Sequence, residues 1–537
     1  MPDYKAPLRD IKFVMSELLN SDSHYANLDG AEDATPDTID AIIQEGAKFA
    51  EQVLSPLNQS GDREGCTWSE SGVKTPAGFK QAYSKFVEGG WPSLAADPDH
   101  GGQGLPSSLG IVMSEMNGTA NWSWGMYPGL SHGAINTLEE HGTEEQKQTY
   151  LTKMVSGEWT GTMCLTESHC GSDLGTLRTK AEPNMDGSYS LTGTKIFISA
   201  GEHDLTDNIV HIVLARLPGA PQGTKGISLF VVPKCLPAED GSAGERNALS
   251  CGSIEHKMGI HANATCVMNF DGAKGWLIGP KNKGLNAMFT FMNVARIGTA
   301  IQGLGAAELG FQGSVAYAKD RLAMRTLSGA KNPDGYADPI IVHPDVRRML
   351  LTQKAIAEGA RALTYMTAQK ADIVQRGKTE EERKAADELL GFLTPIAKAF
   401  LTEIGYESAS LGMQVFGGHG YVSEWGELTV KLGVSAMKNR EEIGAASVDY
   451  LMYSGYAVFA YLWAQMAKMA QDKLAEGSTE ELFYNAKLQT ARFYFTRMLP
   501  RTKAHAVTML PRTKAHAVTM LAGADTLLDM PEEAFIL

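Results

Sequence analysis

Three short stretches of the sequence combine glycine, hydroxyl and aromatic residues in a way that suits a flat ligand with a polar edge. The first is MCLTESHCGSDLG, at residues 163–175. Its hydroxyl residues Thr166 and Ser172 can hydrogen-bond to a ligand, and Gly171 lets the main chain approach one closely. The same residues also fit an ordinary tight turn between strands, so this stretch predicts a binding loop only together with the other two.

The second stretch is LTGTKIFISAGEHD, in which Phe197, Ile198 and Ser199 end a run that is typical of a β-strand. An aromatic residue beside a hydroxyl can pack against a planar ring and bond its polar edge, although Phe197 also fits a plain sheet core. The third stretch is QVFGGHG, at residues 414–420. Its glycines can present main-chain N–H groups to a diphosphate.

The elements that must hold these stretches follow a helix, sheet, helix order. From about residue 158 the sequence changes to short runs rich in Val, Ile, Phe and Thr, namely TGTMCL, YSLTGTKIFIS, NIVHIVLARL, GISLFVVP and TCVMNFDG. We therefore predict an α+β multidomain protein with four parts: an N-terminal helical domain at 1–157, a middle β-domain at 158–280, a helical bundle domain at 281–426 and an additional helical domain at 427–537.

Long amphipathic patterns predict helices at residues 346–374 and 385–412. Pro395 lies inside the second pattern. Because proline lacks the N–H and clashes with the preceding turn, we expect it to kink or divide that helix. Near the N-terminus, Asp37 precedes an apolar repeat and is a candidate helix cap.

The composition excludes some classes of partner. The chain has 537 residues and a formal net charge of −14, which argues against binding to nucleic acid. Its six cysteines form no CxxC pair and indicate free thiols in a reducing compartment, so we expect a cytoplasmic protein. The charged N-terminus does not resemble a secretory signal. We expect no metal site, since His169 and His419 have no second ligand at a regular spacing.

One uncharged segment, LMYSGYAVFAYLWAQMA at residues 451–467, raises the question of membrane contact. It is slightly short for a transmembrane span, and Ser, Gly and Gln interrupt it. We favour a buried helix and keep weak membrane contact as the alternative.

An eleven-residue repeat lies near the C-terminus, where LPRTKAHAVTM occurs at residues 499–509 and again at 510–520. Two such short copies cannot build a solenoid. An identical tandem copy indicates a recent duplication or a copying artefact, and we favour a single helix end written twice.

Taken together, the three stretches and the order of elements resemble the acyl-CoA dehydrogenase family. The resemblance covers roughly residues 40–425 and is specific, because three separated motifs fall in the right order. It is closest to a bacterial branch of long chains, through EGGWPSL, HGGQGLP, WSWGMYPGLSHGA, SIEHKMGIHANATCVMNFD and IIVHPDVRRMLL. It implies an N-terminal helical domain, a middle β-barrel domain, a C-terminal four-helix bundle and an additional helical domain.

The resemblance also implies a role for individual positions. The residues that would bind the flavin cofactor FAD are Met163, Leu165, Thr166, Gly171, Ser172, Phe197, Ile198, Ser199, Arg296, Arg321, Gln414, Gly417 and Gly418. Of these, Arg321 and the glycine loop would reach the flavin phosphates of a neighbouring subunit. The residues that would contact the acyl-CoA are Ser172, Asn293 and Arg296. Taken singly, each of these residues also fits an ordinary core or surface position.

The activity that the resemblance implies is the flavin-dependent α,β-dehydrogenation of an acyl-CoA thioester to the 2-enoyl-CoA, of the fatty-acid β-oxidation type, on medium to long chains. The implied partners are a second copy of the chain in a homodimer and an electron-transfer flavoprotein as electron acceptor. Two alternatives remain: a 3-methylmercaptopropionyl-CoA dehydrogenase in sulfur-compound catabolism, and a non-catalytic protein that binds flavin and acyl-CoA. An oxidase that passes electrons to oxygen is a further rival.

The catalytic base is the part of the pattern that is missing. In most of the family it is a glutamate in a Tyr-Glu-Gly-Thr-like segment, and no such segment follows the glycine loop here. Some members place the glutamate before the arginine matched by Arg296, but that residue is Ala295. Glu441 is a candidate by spacing alone. We therefore expect that several dozen residues are missing between about Gly426 and Glu427, either from the chain as read or through a true deletion.

Overall fold

The structure is a computed structural model that describes residues 4–422 and 442–502. The chain divides into two compact units. The helical unit holds residues 1–51, 111–120 and 299–537, and the sheet unit holds 52–110 and 121–298. Glu441, the junction of Gly426 and Glu427, and the second copy of the LPRTKAHAVTM repeat lie outside the described residues.

The sheet unit is built around a seven-stranded sheet. Strand β7 pairs with both β11 and β6, so β11, β5, β4, β6 and β7 form a closed ring, and β10 and β3 extend it from β11 and β6. The strands are β1 Thr67–Ser69, β2 Gly72–Lys74, β3 Trp159–Cys164, β4 Lys180–Pro183, β5 Tyr189–Ser199, β6 Asn208–Arg216, β7 Ile227–Pro233, β8 Cys235–Pro237, β9 Ala243–Arg246, β10 Leu249–Ile254 and β11 Thr265–Ile278. Each of the five apolar runs in the sequence forms one of these strands, as predicted.

Helices cover this sheet within the same unit. The helices that lie wholly in the sheet unit are α4 Ser55–Glu64, α5 Phe79–Glu88, α7 Trp122–His141, α8 Glu144–Gln146 and α9 Thr152–Val155. Helix α7 packs along β3, and its buried residues Ala134 and Leu138 share one core with Ile212 of β6 and Phe291. Phe291 belongs to α10, Gly284–Asp320, whose first turns lie in this unit.

The helical unit consists of long helices around a second core. Its helices, besides the later part of α10 and most of α6 (Ser107–Ala120), are α1 Leu8–Lys12, α2 Ser21–Ala26, α3 Pro36–Phe49, α11 Pro344–Arg376, α12 Glu380–Phe416, α13 Gly418–Val422, α14 Glu442–Ala475 and α15 Glu481–Phe493.

Shorter helical segments occur in both units. The π-helical segments are Phe13–Leu18, Ala50–Leu54, Lys147–Leu151 and Tyr494–Met498. Single 3-10 turns are Trp91–Ser93, Pro98–His100, Leu174–Thr176, Gly223–Gly226, Ile340–Val342 and Leu499–Arg501.

Two local expectations need correction. Pro395 does not divide its helix, because α12 is continuous from Glu380 to Phe416. Leu393 and Ile396 on either side of the proline are buried, while Pro395 itself faces solvent. The packing of the buried residues stabilises the helix and offsets the hydrogen bond that proline cannot make. Helix α3 is capped by Thr35 rather than Asp37, since the Thr35 hydroxyl accepts from the Thr38 N–H at 3.3 Å. Pro36 occupies the first helical position, which makes the preceding residue the cap.

The uncharged segment at residues 451–467 lies within α14. Its side chains Phe459, Leu462 and Trp463 are fully buried. No helix in the described part of the chain has the length and the run of apolar residues needed to cross a membrane. The segment is thus a helix with one buried side, as favoured, while Tyr453 and Tyr461 on it are exposed.

Candidate functional site

The first two sequence stretches meet in the sheet unit, where the chain leaves β3 and passes the end of β5. The Ile196 N–H donates to the Thr166 carbonyl at 2.9 Å. The Thr162 hydroxyl donates to the Ser199 carbonyl at 2.7 Å. These bonds bring the loop that carries Thr166 beside the strand end that carries Phe197, so the two stretches form one surface.

A buried ion pair fixes this junction. The Lys195 Nζ lies 2.9 Å from Glu167 Oε1 and also donates to the Leu165 carbonyl at 2.8 Å. The Glu167 carboxylate further accepts from the Arg178 N–H at 2.7 Å and from the Thr179 hydroxyl at 2.6 Å. Burial would raise the pKa of Glu167, but the charge of Lys195 and these hydrogen bonds lower it to about 2.

This pair was not predicted, although the sequence carries a signal for it. In YSLTGTKIFIS, Lys195 lies four residues after Leu191, and because side chains alternate between the two faces of a strand, both lie on the same face. Leu191 and Lys195 are both fully buried. A lysine at a core position needs an opposite charge, which Glu167 supplies.

Phe197 presents an aromatic face to solvent at the end of β5. Its side chain is 58% exposed, and its φ angle of 59° lies in the left-handed region, which side chains disfavour. Ile198 points the other way into the sheet core, so any part that it plays in ligand binding falls to its main chain. Ser199 is half-buried and has its carbonyl bonded to Thr162.

The loop after β3 carries the remaining residues of the first stretch. Met163 and Leu165 are half-buried and pack against the core that also contains Ile212. Thr166 is half-buried, whereas Gly171 and Ser172 are exposed. The loop therefore offers an apolar wall, two hydroxyls and bare main chain on one side of the junction.

The same loop contains three potential metal donors, Glu167, His169 and Cys170, whose atoms lie within 4.8 Å of one another. Glu167 is already engaged by Lys195 and by two main-chain N–H groups, and the His169 ring bonds the Thr176 carbonyl at 2.9 Å. Because the Glu167 carboxylate already accepts these hydrogen bonds, we interpret the cluster as stabilising the turn rather than as a metal site.

Asn293 and Arg296 lie in the first turns of α10. The Arg296 guanidinium donates to Asn293 Oδ1 at 3.1 Å. Their neighbours Met292 and Ala295 pack against the same core as Met163 and Leu165. Within the sheet unit, the predicted acyl-CoA residues and the β3 loop are thus carried by one continuous core.

The other predicted residues, Arg321, Gln414, Gly417 and Gly418, belong to the helical unit. There the later part of α10 runs parallel to α12 through small residues. A Cβ on Gly405 would lie 2.5 Å from the Gly303 carbonyl oxygen, and the Ser408 hydroxyl bonds the Ala307 carbonyl at 3.4 Å. Because of this close approach, the C-terminal end of α10, directly before Arg321, lies beside the segment that follows α12.

Tyr317 makes the contact between these two parts, and the sequence analysis did not identify it. Its ring centroid lies 4.6 Å from that of Phe416, and its hydroxyl lies 2.8 Å from Nδ1 of His419. The Arg321 N–H bonds the Tyr317 carbonyl at 2.8 Å, so Arg321 is one turn further along the same helix. Tyr317, one helical turn before Arg321, is therefore the residue that contacts the glycine loop within this unit.

The predicted glycine loop consists of the last turn of α12, a one-residue turn at Gly417 and the start of α13, and its glycines differ in role. Gly417 has φ 56° and ψ −133°, which a residue with a Cβ rarely adopts. A Cβ at Gly417 or Gly418 would meet no atom within 4 Å, so their main chain borders open space. Gly420 instead packs closely, because a Cβ there would lie 2.4 Å from the Met413 carbonyl oxygen.

These features fit the flavin that the resemblance implies. In the sheet unit, an exposed ring at Phe197 stands beside the hydroxyls of Thr166 and Ser199, which matches a planar ring system with a polar edge. In the helical unit, the open main chain of Gly417 and Gly418 near Arg321 matches a diphosphate. Each group of residues, taken within its own unit, therefore suits the corresponding part of FAD.

Comparison with protein families gives four matches in chain order. The descriptions are "Acyl-CoA dehydrogenase, N-terminal domain" at residues 36–158, "Acyl-CoA dehydrogenase, middle domain" at 162–273, "Acyl-CoA dehydrogenase, C-terminal domain" at 282–438 and "Acetyl-CoA dehydrogenase C-terminal like" at 419–509. The last two share residues 419–438.

Individual relatives agree. The chain is 44% identical over 426 residues to a 3-methylmercaptopropionyl-CoA dehydrogenase of Ruegeria pomeroyi, covering 79% of this chain and 71% of the relative. It is 34% identical over 438 residues to a broad-specificity linear acyl-CoA dehydrogenase of Mycobacterium tuberculosis, covering 79% and 70%. Its fold matches an acyl-CoA dehydrogenase of Bacillus anthracis solved with FAD, at a TM-score of 0.69 and 18% identity over 96% of this chain and 95% of that one.

Proposed function

This chain belongs to the acyl-CoA dehydrogenase family, and from that premise we propose that it oxidises a medium- to long-chain acyl-CoA thioester to the 2-enoyl-CoA. FAD is the cofactor of this family. The observation that carries the proposal is the anchored junction at which Ile196 bonds Thr166 and leaves the Phe197 ring open to solvent.

When bound, FAD supplies an acceptor for the β-hydrogen as hydride. We propose that Phe197 covers one face of its ring system, with Thr166, Ser172 and Ser199 hydrogen-bonding its polar edge. Met163, Leu165 and the Ile198 main chain would complete that wall. Because Lys195 and Glu167 lock the loop to the strand, these groups are held in place before a ligand arrives.

For the phosphates, we propose Arg321, Gln414 and the main chain of Gly417 and Gly418. For the thioester, we propose Asn293 and Arg296, with Ser172 touching both ligands. As the α-proton leaves, charge builds on the thioester carbonyl oxygen, so hydrogen-bond donors around that oxygen lower the barrier. The base itself must sit in a dry apolar pocket that raises the pKa of its carboxyl group.

We propose that the base belongs to a segment missing between Gly426 and Glu427. One observation supports this: the aligned part is a smaller share of the Ruegeria pomeroyi relative than of this chain, so the relative is longer. Glu441 remains the alternative by spacing.

The acyl group has a second candidate. The relative with 44% identity is a 3-methylmercaptopropionyl-CoA dehydrogenase, which favours a short, sulfur-containing acyl chain as the alternative substrate.

We further propose a cytoplasmic homodimer that passes electrons to an electron-transfer flavoprotein, with domains at 1–157, 158–280, 281–426 and 427–537. Sedimentation analysis tests the dimer, and reduction of an added electron-transfer flavoprotein tests the acceptor.

The decisive experiment is anaerobic reduction of the bound flavin. The FAD-loaded protein is mixed without oxygen with straight-chain thioesters from butanoyl-CoA to hexadecanoyl-CoA, and with 3-methylmercaptopropionyl-CoA. The proposal expects bleaching by medium or long chains, and fastest bleaching by the sulfur compound favours the second candidate. Tight acyl-CoA binding with no bleaching means a non-catalytic binding protein, and a failure to bind FAD contradicts the whole proposal. Free FAD with the same thioesters is the control.

A further inference from the structure

We propose that Tyr317 is a positioning residue for the cofactor, holding the turn at Gly417, between α12 and α13, in its binding conformation through a hydrogen bond to His419. The inference rests on the proposed function of that turn. It extends the site to a tyrosine outside the three sequence stretches and gives a role to the histidine of the third.

Tyr317 contacts the residues on both sides of Gly417 and Gly418. Its ring packs on Phe416 at 4.6 Å between centroids, just before Gly417, and its hydroxyl lies 2.8 Å from Nδ1 of His419, just after Gly418. The His419 ring also meets the Tyr317 ring edge-on at 5.9 Å. Tyr317 therefore bridges the two glycines from one side to the other.

The contact also orders the turn. Gly417 links α12 to α13, its main chain borders open space, and glycine loses more conformational freedom on ordering than any other residue. If the turn were not ordered beforehand, this loss of conformational entropy on binding would weaken the affinity for a diphosphate. Tyr317 orders the loop in advance, because it fixes the residues on both sides of the glycine pair.

A cation follows this contact on the same helix. Arg321 comes one helical turn after Tyr317, and its main-chain N–H bonds the Tyr317 carbonyl at 2.8 Å. The helix itself is held against α12, where Ser408 bonds Ala307 and Gly303 packs on Gly405. The helix that leads to Arg321 is therefore braced, through Tyr317, against the segment that would share the same phosphates.

A double-mutant cycle on FAD affinity tests the proposal. The variants are Tyr317→Phe, which keeps the ring contact and removes the hydroxyl, His419→Ala, and the two together. His419→Asn is the conservative variant, since its amide can take the position of Nδ1. Tyr461→Phe is the matched control, because it removes a tyrosine hydroxyl that bonds Gln465 at 2.8 Å on α14. Apo-protein is titrated with FAD, and the melting temperature of each apo-variant is recorded.

We expect the dissociation constant for FAD to rise about fivefold in Tyr317→Phe and in His419→Ala, with no further rise in the double variant. His419→Asn and Tyr461→Phe should bind FAD like the wild type. The apo melting temperatures should match that of Tyr461→Phe, which separates positioning from general stability.

Additive losses in the double variant, or unchanged FAD affinity in Tyr317→Phe, overturn the role of Tyr317. So does a loss of affinity matched by a fall in apo melting temperature. If the wild-type protein itself does not bind FAD, the proposed function fails instead, and the two failures are distinct.

Discussion

The ammonium group of Lys195 lies 2.9 Å from the carboxylate of Glu167, and both side chains are buried. This pair joins the strand that ends at Phe197 to the loop that carries Thr166. Phe197 keeps a left-handed main chain beyond the pair, so the ion pair is the fixed point from which the exposed ring projects.

Replacing Lys195 with methionine should destabilise the protein strongly. Methionine fills a similar volume but leaves the Glu167 carboxylate buried without its cation, which costs about 3 to 5 kcal/mol. Urea denaturation of the apo-protein measures this. Lys274→Met is the matched control, because the Lys274–Asp186 pair on the same sheet is exposed and should cost less than about 1 kcal/mol. Equal losses in both variants would contradict the assigned role.

The Glu167 pair should also make stability depend on acidity. Its pKa is lowered to about 2, because Lys195 and its hydrogen bonds outweigh burial. An unfolded glutamate titrates near about 4.3, so the stabilisation is complete above that pH and is lost as the pH falls toward the folded pKa. The difference in unfolding free energy between wild type and Glu167→Gln should therefore shrink from about pH 6 to about pH 3. A difference that stays constant over this range would count against the assignment.

Replacing Phe197 with glycine should change stability and cofactor binding in opposite directions. Glycine relieves the strain of a φ angle of 59°, a conformation that costs other residues roughly 1 to 2 kcal/mol. The apo-protein should therefore be as stable as the wild type or more so, while FAD binds about tenfold more weakly because the covering ring is lost. Phe197→Ala is the control: it should lose FAD affinity without the gain in stability. Full FAD affinity in both variants would remove Phe197 from the site.

Lys487 should be essential for attaching the additional C-terminal helix within the helical unit. Its Nζ contacts the Asp10 carboxylate and lies 3.1 Å from Glu358, and all three side chains are buried. Lys487→Met leaves two carboxylates without this cation, which should cost about 3 to 5 kcal/mol in thermal or urea denaturation. Lys468→Met removes an exposed pair with Asp472 and should cost less than about 1 kcal/mol. A mild effect at Lys487 would show that the remaining cations are sufficient, namely Arg361, which also contacts Asp10, and Lys354, which lies 2.7 Å from Glu358.

A glutamate at position 295 should supply the base that we propose to be missing. Ala295 precedes Arg296, the position where the family resemblance implies the glutamate of some members, and its side chain is half-buried. If the chain lacks its own base, Ala295→Glu should speed anaerobic flavin bleaching by about a hundredfold or more over the wild type. Ala295→Gln has the same shape without a carboxylate and should give no gain. A wild type that bleaches as fast as Ala295→Glu would mean that a base such as Glu441 is already present.

The sequence by itself determined the elements and the family. Strand runs such as NIVHIVLARL and helix patterns such as 346–374 were predicted correctly, because periodicity is a property of neighbouring residues. The three binding stretches and their order were also sufficient to indicate the fold and the cofactor, since these depend on residue types at short spacing.

Only the tertiary structure decided which residues meet across long separations. Lys195 pairs with Glu167, and Tyr317 bonds His419, through the packing of whole strands and helices that no local pattern encodes. Packing also kept α12 continuous through Pro395, because the burial of its flanking residues outweighs the local propensity of proline. Sequence patterns thus indicated the candidate binding stretches, and long-range contacts determined how those stretches are held.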